Sequence, residues 1–328
     1  MKSLVTGANG FLGSAVMREL LNEGHEVRVL VRPGSDRRNL EGLPVEITEG
    51  DLRDQDSLKR AVRGADTLFH VAADYRLWIP DPDSMYATNV TGTQNLVMAA
   101  AEAGMLRIVY TSSVATLGIN ADGTPADENT PSSLATMVGH YKRSKFLAEQ
   151  AVQHLTEVHQ LPLVIVNPST PIGPRDVKPT PTGRIVLDTL RGRMPAYVNT
   201  GLNVAHVDDV AKGHILAYKS GKPGQRYILG GENMSLFQIL QTIDEITSTA
   251  TRRLRLPHQA IIPVAWIMER LADFTGIEPR ATVDSVRMAR KMMFFSSNRA
   301  EQELGYHYRP ARVALQDAIN WFIDNNYK

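Results

Sequence analysis

The sequence predicts an α/β fold: a doubly wound parallel sheet with helices on both faces, joined to a smaller and mostly helical lobe. Two observations carry this prediction. The chain opens with a short apolar strand, a glycine-rich turn and a helix with apolar residues at helical spacing, and short strands then alternate with helices as far as Pro168. Such alternation is typical of a parallel sheet. The 328 residues are enough to bury a large core and form a second lobe.

The turn Gly7-Ala8-Asn9-Gly10-Phe11-Leu12-Gly13 joins a first predicted strand, Lys2 to Val5, to a helix over Phe11 to Leu21. Glycines in this context allow a tight turn, a backbone close to a phosphate and a helix packed close to its strand. The N–H groups at the start of the helix can then bind a pyrophosphate. The spacing is GxxGxxG rather than GxGxxG, and an ordinary turn between strand and helix is the alternative.

The second predicted strand, Glu26 to Val31, ends at Arg32, with Ser35, Arg37 and Arg38 just beyond it. In NAD-binding folds an acidic residue near this point holds the ribose 2′-hydroxyl, whereas an arginine accommodates the 2′-phosphate of NADP. An arginine fork matches phosphate geometry. Arg32 therefore favours NADP over NAD as the cofactor, and a solvated basic loop is the alternative.

Two further strands end in candidate cofactor contacts. The strand Val45 to Thr48 is followed by Asp51 and Leu52, and the Asp51 carboxylate can accept a hydrogen bond from an adenine amino group or cap the next helix. The strand Thr67 to Val71 leads into Ala72-Ala73, where small side chains let a flat ring approach the backbone.

The loop from Asp74 to Pro80 is aromatic and follows a strand. Ligands of open α/β folds bind at the carboxyl end of the sheet, where this loop is expected. Tyr75, Arg76 and Trp78 are therefore substrate-contact candidates, with surface packing as the alternative.

Tyr141 and Lys145 carry the predicted chemistry. Four residues apart on a predicted helix, they lie on one face. An ammonium beside a phenol lowers the pKa of the phenol, which makes Tyr141 a workable acid and base near neutral pH. Lys145 can also bind ribose hydroxyls of the cofactor. Ser113, at the end of the strand Arg107 to Thr111, can donate a hydrogen bond to a reacting carbonyl oxygen. Ser112 is the rival for that role, and strand-end capping is the alternative for both.

The predicted domains follow from these elements. Residues 1–170 form the dinucleotide-binding domain, to which 203–231 are expected to return. Residues 171–202 and 232–328 form the substrate lobe, because a run of prolines after Pro168 interrupts regular structure. In the second half, Asp208 or Asp209 can cap the helix that reaches Tyr218.

Composition and charge exclude several classes of protein. The chain has no cysteine, which excludes disulfides and zinc–thiolate sites and fits a cytoplasmic location. Its net charge of +1 gives no general attraction to nucleic acid. The histidines lack metal-binding spacing, so no metal is predicted. No signal peptide or membrane span is expected.

Two apolar segments allow two interpretations each. Ala260 to Met268 is too short for a membrane span and contains Pro263, which predicts the start of a core helix rather than a membrane contact. Arg287 to Phe295 mixes basic and bulky apolar residues. It predicts a core helix with basic residues that reach the solvent, and contact with an anionic or lipidic substrate or a membrane surface is the alternative.

Taken together, the motifs resemble those of extended short-chain dehydrogenases/reductases. They are Thr6-Gly7-Ala8-Asn9-Gly10-Phe11-Leu12-Gly13, Gly50-Asp51-Leu52, His70-Val71-Ala72-Ala73, Tyr110-Thr111-Ser112-Ser113, Tyr141 with Lys145, and Asn167-Pro168. The resemblance implies a Rossmann-type fold, hydride transfer with a nicotinamide cofactor held in part near Pro168, and catalysis by Ser113, Tyr141 and Lys145. The family includes sugar-nucleotide epimerases, dehydratases and dihydroflavonol-type ketone reductases.

A closer resemblance, running almost end to end, is to the hopanoid-associated sugar epimerases of bacteria. It lies in Ala72-Ala73-Asp74-Tyr75-Arg76-Leu77-Trp78, Gly139-His140-Tyr141-Lys142-Arg143-Ser144-Lys145, Asn167-Pro168-Ser169-Thr170-Pro171-Ile172-Gly173-Pro174, Lys178-Pro179-Thr180-Pro181-Thr182-Gly183-Arg184 and the segment 287–297. Arg32, by contrast, resembles the reductase branch more than the epimerases that retain NAD.

The expected function is therefore NADP-dependent reduction of a ketone, or the reverse oxidation of an alcohol. A sugar epimerase that retains NAD is the second candidate, and a cofactor-sensing regulator is the third. The expected substrate is a small molecule that is partly apolar or lipid-linked. The oligomeric state stays open between a monomer and a homodimer.

Overall fold

The structure, a computed structural model, describes residues 1–249, 251–277, 279 and 281–327. Its strands are, in chain order, β1 Lys2–Thr6, β2 Glu26–Val31, β3 Val45–Glu49, β4 Thr67–His70, β5 Arg107–Thr111, β6 Leu163–Pro168, β7 Thr170–Ile172, β8 Ala196–Val198, β9 Gly201–His206, β10 Arg226–Leu229, β11 Glu232–Ser235, β12 Leu254–Leu256 and β13 Met292–Met293. Its helices are α1 Phe11–Asn22, α2 Gln55–Val62, α3 Pro82–Tyr86, α4 Gly92–Glu102, α5 Gly139–His159, α6 Pro181–Leu190, α7 Val207–Ser220, α8 Leu236–Thr247, α9 His258–Thr275, α10 Val283–Met288, α11 Asn298–Leu304 and α12 Ala311–Asp324.

Seven strands form one parallel sheet in the order β10-β6-β5-β4-β1-β2-β3. This confirms the predicted doubly wound fold. The strand order reverses between β1 and β4, and ligands of such sheets bind at this switch point. Since Thr6 of β1 pairs with His70 of β4, the turn after β1 and the loop after β4 leave the same edge of the sheet side by side.

Helices cover both faces of this sheet. On one face α1 and α7 contribute buried residues such as Leu20 and Val210. On the other face α2, α4 and α5 contribute Leu58, Leu96 and Ala148. Burying each large apolar side chain stabilises the fold by about 1.5–3 kcal/mol. The packed sheet therefore holds the loops at its carboxyl edge in fixed positions.

A second unit is built around β9, which pairs with β7, β11 and β13, while β8 pairs with β12. Its core joins α6, α8 and α12 through residues such as Val186, Ile239 and Leu315. Within 203–231, α7 and β10 pack with the large sheet, whereas β9 is in the small one. Three residues of the predicted substrate lobe, Ala300 and Leu304 of α11 and Tyr306, are buried in the core of the large sheet. The domain boundaries stay a prediction.

One helix start differs from expectation, and one helical stretch contains an irregular turn. The predicted capping of α7 by Asp208 or Asp209 is wrong, because the His206 side chain accepts the hydrogen bond from the Asp208 N–H at 3.0 Å. Between α3 and α4 the chain forms a π-helical turn, Ala87–Thr91, in which Asn89 is buried. Such turns often occur at functional sites.

Both ambiguous apolar segments also differ from expectation. The predicted core position of 260–268 is wrong for most of its side chains, since only Ala265 of this stretch is buried. Arg287 to Phe295 is not one core helix: α10 ends at Met288, and β13 follows. No helix in the described part of the chain has the length and apolar character to cross a membrane.

Candidate active site

The glycine turn after β1 is packed too closely to hold side chains at two of its positions. Gly7 has a φ of +73°, and a Cβ there would lie 2.8 Å from Ala72 Cα. A Cβ at Gly13 would lie 2.1 Å from the Gly7 carbonyl oxygen. These contacts bring α1 and the loop after β4 against the turn, as a bound dinucleotide requires.

The first turn of α1 presents its backbone N–H groups to the same edge. Gly10 precedes the helix, and no side chain of the described residues caps it. The N–H groups of Phe11, Leu12 and Gly13 therefore have the arrangement of an anion site at a helix N-terminus. Asn9 supports the turn by donating from its side chain to the Asp36 carbonyl oxygen at 3.1 Å. The turn thus fits a pyrophosphate.

Arg32 is exposed at the end of β2. Its carbonyl oxygen accepts hydrogen bonds from the Ser35 N–H at 3.1 Å and the Ser35 hydroxyl at 2.7 Å, which fixes the turn. Its guanidinium has no hydrogen bond or ion pair with the described residues. The positive charge of Arg32 also helps to lower the pKa of Asp51, although a hydrogen bond from Arg53 contributes most. Arg32 therefore lies close enough to Asp51, the predicted adenine contact, for their charges to interact.

The other arginines of this loop are engaged. Arg37 forms an ion pair with Glu49, and Arg38 forms one with Asp36 at 2.6 Å. Arg32 is thus the arginine of this group with its charge left for a ligand.

Asp51 does not cap the next helix, because Asp54 caps α2 by accepting from the Asp56 N–H at 3.0 Å. Asp51 instead pairs with Arg53 at 2.9 Å and keeps 24% of its side chain exposed. Leu52 is buried beside Gly92, where a Cβ would lie 2.8 Å from Leu52 Cβ. Asp51 therefore remains open to a ligand, while Leu52 packs against α4.

Lys145 of α5 is buried, and its ammonium is held at the end of β5. Its Nζ donates to the Thr111 carbonyl oxygen at 2.8 Å and to the Tyr110 hydroxyl at 3.2 Å. Burial lowers the pKa of Lys145 to about 8, against the opposing effect of Glu149. The charge of Lys145 is thus fixed in position before any ligand binds.

Tyr141 differs from expectation in its pKa. Burial raises the pKa of Tyr141, and a hydrogen bond with Ser113 acts in the opposite direction. Lys145 is not among the groups that shift this pKa, and the phenol that contacts its ammonium is Tyr110. Tyr141 is thus a neutral phenol at neutral pH, and a raised pKa makes it a weaker acid than the sequence predicts.

Ser113 and Ser112 occupy different environments. The Ser113 side chain accepts from the Ala115 N–H at 3.1 Å and begins the short turn Val114–Thr116, so the capping alternative holds for it. Ser113 also contacts Tyr141, as its effect on that pKa shows. Ser112 is only 5% exposed. Ser113 is therefore the serine placed beside the predicted proton donor.

The π-helical turn holds an asparagine whose tertiary contacts the sequence did not reveal. Asn89 accepts from the Asp74 N–H at 2.7 Å and donates to the Asp74 carbonyl oxygen at 2.8 Å. It also donates to the Ser144 hydroxyl at 3.0 Å, and Ser144 donates to the Tyr141 carbonyl oxygen at 2.9 Å. Asn89 thus connects the loop after β4 to the helix of Tyr141. A polar residue near a helix start was the only signal in the sequence.

Glu149 is a second buried group that sequence reasoning missed. It lies one helical turn beyond Lys145 and is 3% exposed. Its carboxylate accepts from Asn167 at 2.8 Å, from Thr116 at 2.9 Å and from Arg226 at 2.9 Å. These contacts hold α5 against β6 and β10. The repetition of polar residues every four positions was the available signal.

The predicted substrate candidates lie in the loop after β4. Tyr75 is 43% exposed, Arg76 forms an ion pair with Asp74, and Trp78 is half-buried. Burial raises the pKa of Asp74, but hydrogen bonds from Arg76 outweigh that effect and the pKa is lowered. Pro168 ends β6 at the same edge of the sheet. Contact of these residues with a substrate or cofactor stays a prediction.

Comparisons with known proteins agree with this architecture. Residues 3–230 match the NAD dependent epimerase/dehydratase family. A protein of Synechocystis sp. that carries the provisional name dihydroflavonol 4-reductase is 46% identical, with 98% of this chain and 95% of the relative covered. Sterol demethylase protein B of Methylococcus capsulatus is 36% identical, with 98% of each chain covered.

A ketoreductase of Stigmatella aurantiaca, named for 4-hydroxy-2-methyl-3-oxo-4-farnesyl-3,4-dihydroquinoline-1-oxide, is 29% identical over 97% of this chain and 96% of its own. Among solved structures, that of gox2253 is 54% identical, with a TM-score of 0.89 over 99% of this chain and 98% of that one. PA4631 of Pseudomonas aeruginosa, described as a nucleoside-diphosphate-sugar epimerase, is 26% identical, with a TM-score of 0.81 over 100% of this chain and 99% of that one.

The sequence resemblance is thereby confirmed at the level of the family, whose members here are named as reductases and epimerases. The chain belongs to the NAD-dependent epimerase/dehydratase family of extended short-chain dehydrogenases/reductases and is an oxidoreductase or epimerase of that family.

Proposed function

We propose that this protein is an NADPH-dependent ketoreductase that also catalyses the reverse alcohol oxidation. The observation that carries the proposal is the exposed guanidinium of Arg32 at the end of β2. An acidic residue at this point would hold the ribose of NAD and repel the 2′-phosphate of NADP. Arg32 attracts that phosphate instead.

The remaining cofactor contacts are assigned to the edge of the sheet. The N–H groups at the start of α1, beside Gly10, bind the pyrophosphate. Asp51 accepts from the adenine amino group, and the small Ala72 and Ala73 leave room beside the switch point. The bound cofactor supplies a hydride to the carbonyl carbon.

Side chains of the protein protonate and stabilise the carbonyl oxygen of the substrate. Tyr141 donates its phenolic proton to the carbonyl oxygen as the C–O double bond becomes an alcohol. Ser113 donates a hydrogen bond to the same oxygen and stabilises its developing negative charge. Lys145 holds a positive charge nearby and offers a donor to the ribose. Tyr141 carries its proton at neutral pH, because its pKa lies above the ordinary value near 10.

The proposed substrate is a small ketone with a large apolar portion. The exposed Tyr75 and half-buried Trp78 at the carboxyl edge of the sheet support this. Two relatives aligned over nearly the whole chain carry names that refer to a sterol and to a farnesylated ketone.

A sugar epimerase is the second candidate, favoured by the likeness to PA4631. An epimerase of this family returns the hydride and keeps its cofactor, whereas a reductase consumes NADPH with each turnover. Arg32 supports the reductase, since an exposed charge contact weakens with salt and suits cofactor exchange.

The decisive experiment follows NADPH absorbance and product formation together, with prenylated and sterol-like ketones and with nucleotide sugars. Equal molar amounts of NADPH consumed and alcohol formed are expected for a ketone. A sugar epimer that accumulates without loss of NADPH would establish the second candidate instead.

A further inference from the structure

Helix α9 exposes a continuous apolar face. The side chains of this face, spaced three or four residues apart, are Val264, Ile267, Leu271 and Phe274. Phe274 is 88% exposed, the highest value among them. The opposite side of α9 packs against the fold through Ala265 and Ala272, which are 0% and 3% exposed. The helix thus packs by its small residues and turns its large apolar residues outward.

Exposed apolar side chains are concentrated in this region. Of the fifteen large ones in the described residues, seven lie between Leu254 and Ile277. Trp266, which is 53% exposed, adds an aromatic ring to the patch, and Arg270 lies 5.5 Å from the centre of that ring. Contiguous apolar surface of this kind marks an interaction site, whereas single exposed residues do not.

The surrounding segment carries positive charge. Residues 251–295 contain eight Lys and Arg against four Asp and Glu, although the whole chain has a net charge of only +1. Several of these cations are exposed and have no ion pair with the described residues; they are Arg252, Arg255, Arg290 and Lys291. Positive charge is therefore concentrated in the segment that contains α9, while the rest of the chain is net negative.

We propose that the α9 face docks on the surface of a bilayer that contains anionic lipids, with the helix lying in the plane of the interface. Apolar and aromatic side chains on one face and basic residues around them are the features that place a helix there. A second copy of this chain fits less well, because a symmetric contact would bring the two cationic segments together.

The docked face lies one helix away from the candidate active site. The Val283 N–H, at the start of α10, donates to the Glu269 side chain of α9 at 3.0 Å. Asp284 of α10 in turn lies against Gly139, where a Cβ would come within 3.2 Å of the Asp284 carboxylate. Gly139 begins α5, the helix of Tyr141. Docking would therefore bring α10 and the start of α5 close to the bilayer surface.

Vesicle binding tests the proposal without cofactor or substrate, so the outcome does not depend on the proposed reaction. The full chain is sedimented with vesicles of phosphatidylcholine and phosphatidylglycerol, and separately with phosphatidylcholine alone. We expect binding to the anionic vesicles, weakening with salt, and a blue shift of the fluorescence of Trp266 that the Trp266→Phe variant loses.

The variant Ile267→Ser/Leu271→Ser/Phe274→Ser should lower the vesicle partition coefficient by about a hundredfold or more, since three large side chains no longer enter the interface. Its matched control is Ile47→Ser/Leu106→Ser/Val158→Ser, which removes apolar residues exposed elsewhere and should bind as the wild type does. Both variants should keep wild-type NADPH affinity.

Equal binding by the α9 variant and its control would overturn the proposal, as would absence of binding to anionic vesicles. A dimer in solution that the α9 variant alone dissolves, without vesicle binding, would assign the face to a second copy instead.

Discussion

The ammonium of Lys145 donates to the carbonyl oxygen of Thr111 across 2.8 Å and so fastens the helix of the predicted proton donor to the end of β5. The hydrogen bond places a buried charge at the carboxyl edge of the sheet before any ligand arrives. Burial opposes that charge and lowers the pKa of Lys145 to about 8. Burial of this charge thus serves the proposed site at the expense of stability.

The pH dependence of stability should reveal this cost. A shift from 10.5 to about 8 corresponds to about 3 kcal/mol at neutral pH. Between these pH values the folded state releases the Lys145 proton while the unfolded state keeps it. The unfolded state then binds more protons, so the free energy of unfolding rises with pH. Above pH 10.5, the pKa of Lys145 in the unfolded state, burial of Lys145 no longer lowers the free energy of unfolding. Below about pH 8 the whole loss is present.

Urea unfolding of the wild type and Lys145→Met at about pH 7.5 and about pH 9.5 measures the effect, with the wild type gaining stability relative to the variant at the higher pH. The other titratable groups, including Lys142, titrate alike in both proteins, so their contributions cancel when the two proteins are compared. The exposed Lys59→Met variant should follow the wild-type curve. If Lys145→Met also follows it, the lowered pKa is wrong.

Removing the phenol of Tyr141 should abolish turnover selectively. Tyr141→Phe deletes the proposed proton donor, and loss of a general acid lowers kcat by about 10²–10⁴-fold. NADPH affinity, measured by fluorescence titration, should change little. Tyr110→Phe is the informative control, because Tyr110 is the phenol that contacts Lys145. Greater loss of kcat in Tyr110→Phe would transfer the acid role to that residue.

The sequence predicted the parts of this molecule that local pattern determines. The glycine turn, the alternation of strands and helices and the four-residue spacing of Tyr141 and Lys145 are local features, and the fold that they predict is confirmed. The partners of buried polar groups are set by packing between distant elements. The preference of Lys145 for Tyr110 over Tyr141, and the position of Asn89 between the loop after β4 and the helix of Tyr141, therefore could not be read from spacing.

The outward-facing residues of α9 illustrate a second limit. An apolar stretch predicts burial, and Ala260 to Met268 was interpreted as part of the core on that ground. In the structure the small Ala265 makes the contact with the fold, while Ile267 is 53% exposed. Hydrophobic pattern identifies an amphipathic helix but does not decide which of two apolar faces meets the protein.

Arg32 should decide the choice of cofactor. A hydrogen bond to a charged group contributes about 1.5–3 kcal/mol, so Arg32→Ala should weaken NADPH binding by roughly ten- to a hundredfold. NADH binding should be nearly unchanged, because NADH lacks the 2′-phosphate. Titration of both cofactors into wild type, Arg32→Ala and the exposed control Arg60→Ala measures this. Tighter binding of NADH than of NADPH by the wild type would contradict the assignment.

Alanine substitutions at Gly13 and Gly10 should distinguish the role of the turn in packing from its role in binding phosphate. A Cβ at Gly13 would lie 2.1 Å from the Gly7 carbonyl oxygen, so Gly13→Ala forces α1 away from the turn. Overpacking of this kind should lower the free energy of unfolding by about 1–3 kcal/mol and weaken NADPH binding as well.

Gly10 has an ordinary φ of −85°, and a Cβ there would lie 3.3 Å from the Gly7 carbonyl oxygen. Gly10→Ala should therefore keep most of its stability but lose NADPH affinity, because a methyl group next to the open N–H groups of α1 would crowd a bound pyrophosphate. Urea unfolding and NADPH titration of both variants give the comparison, and unchanged affinity in Gly10→Ala would mean that the pyrophosphate does not bind at this helix start.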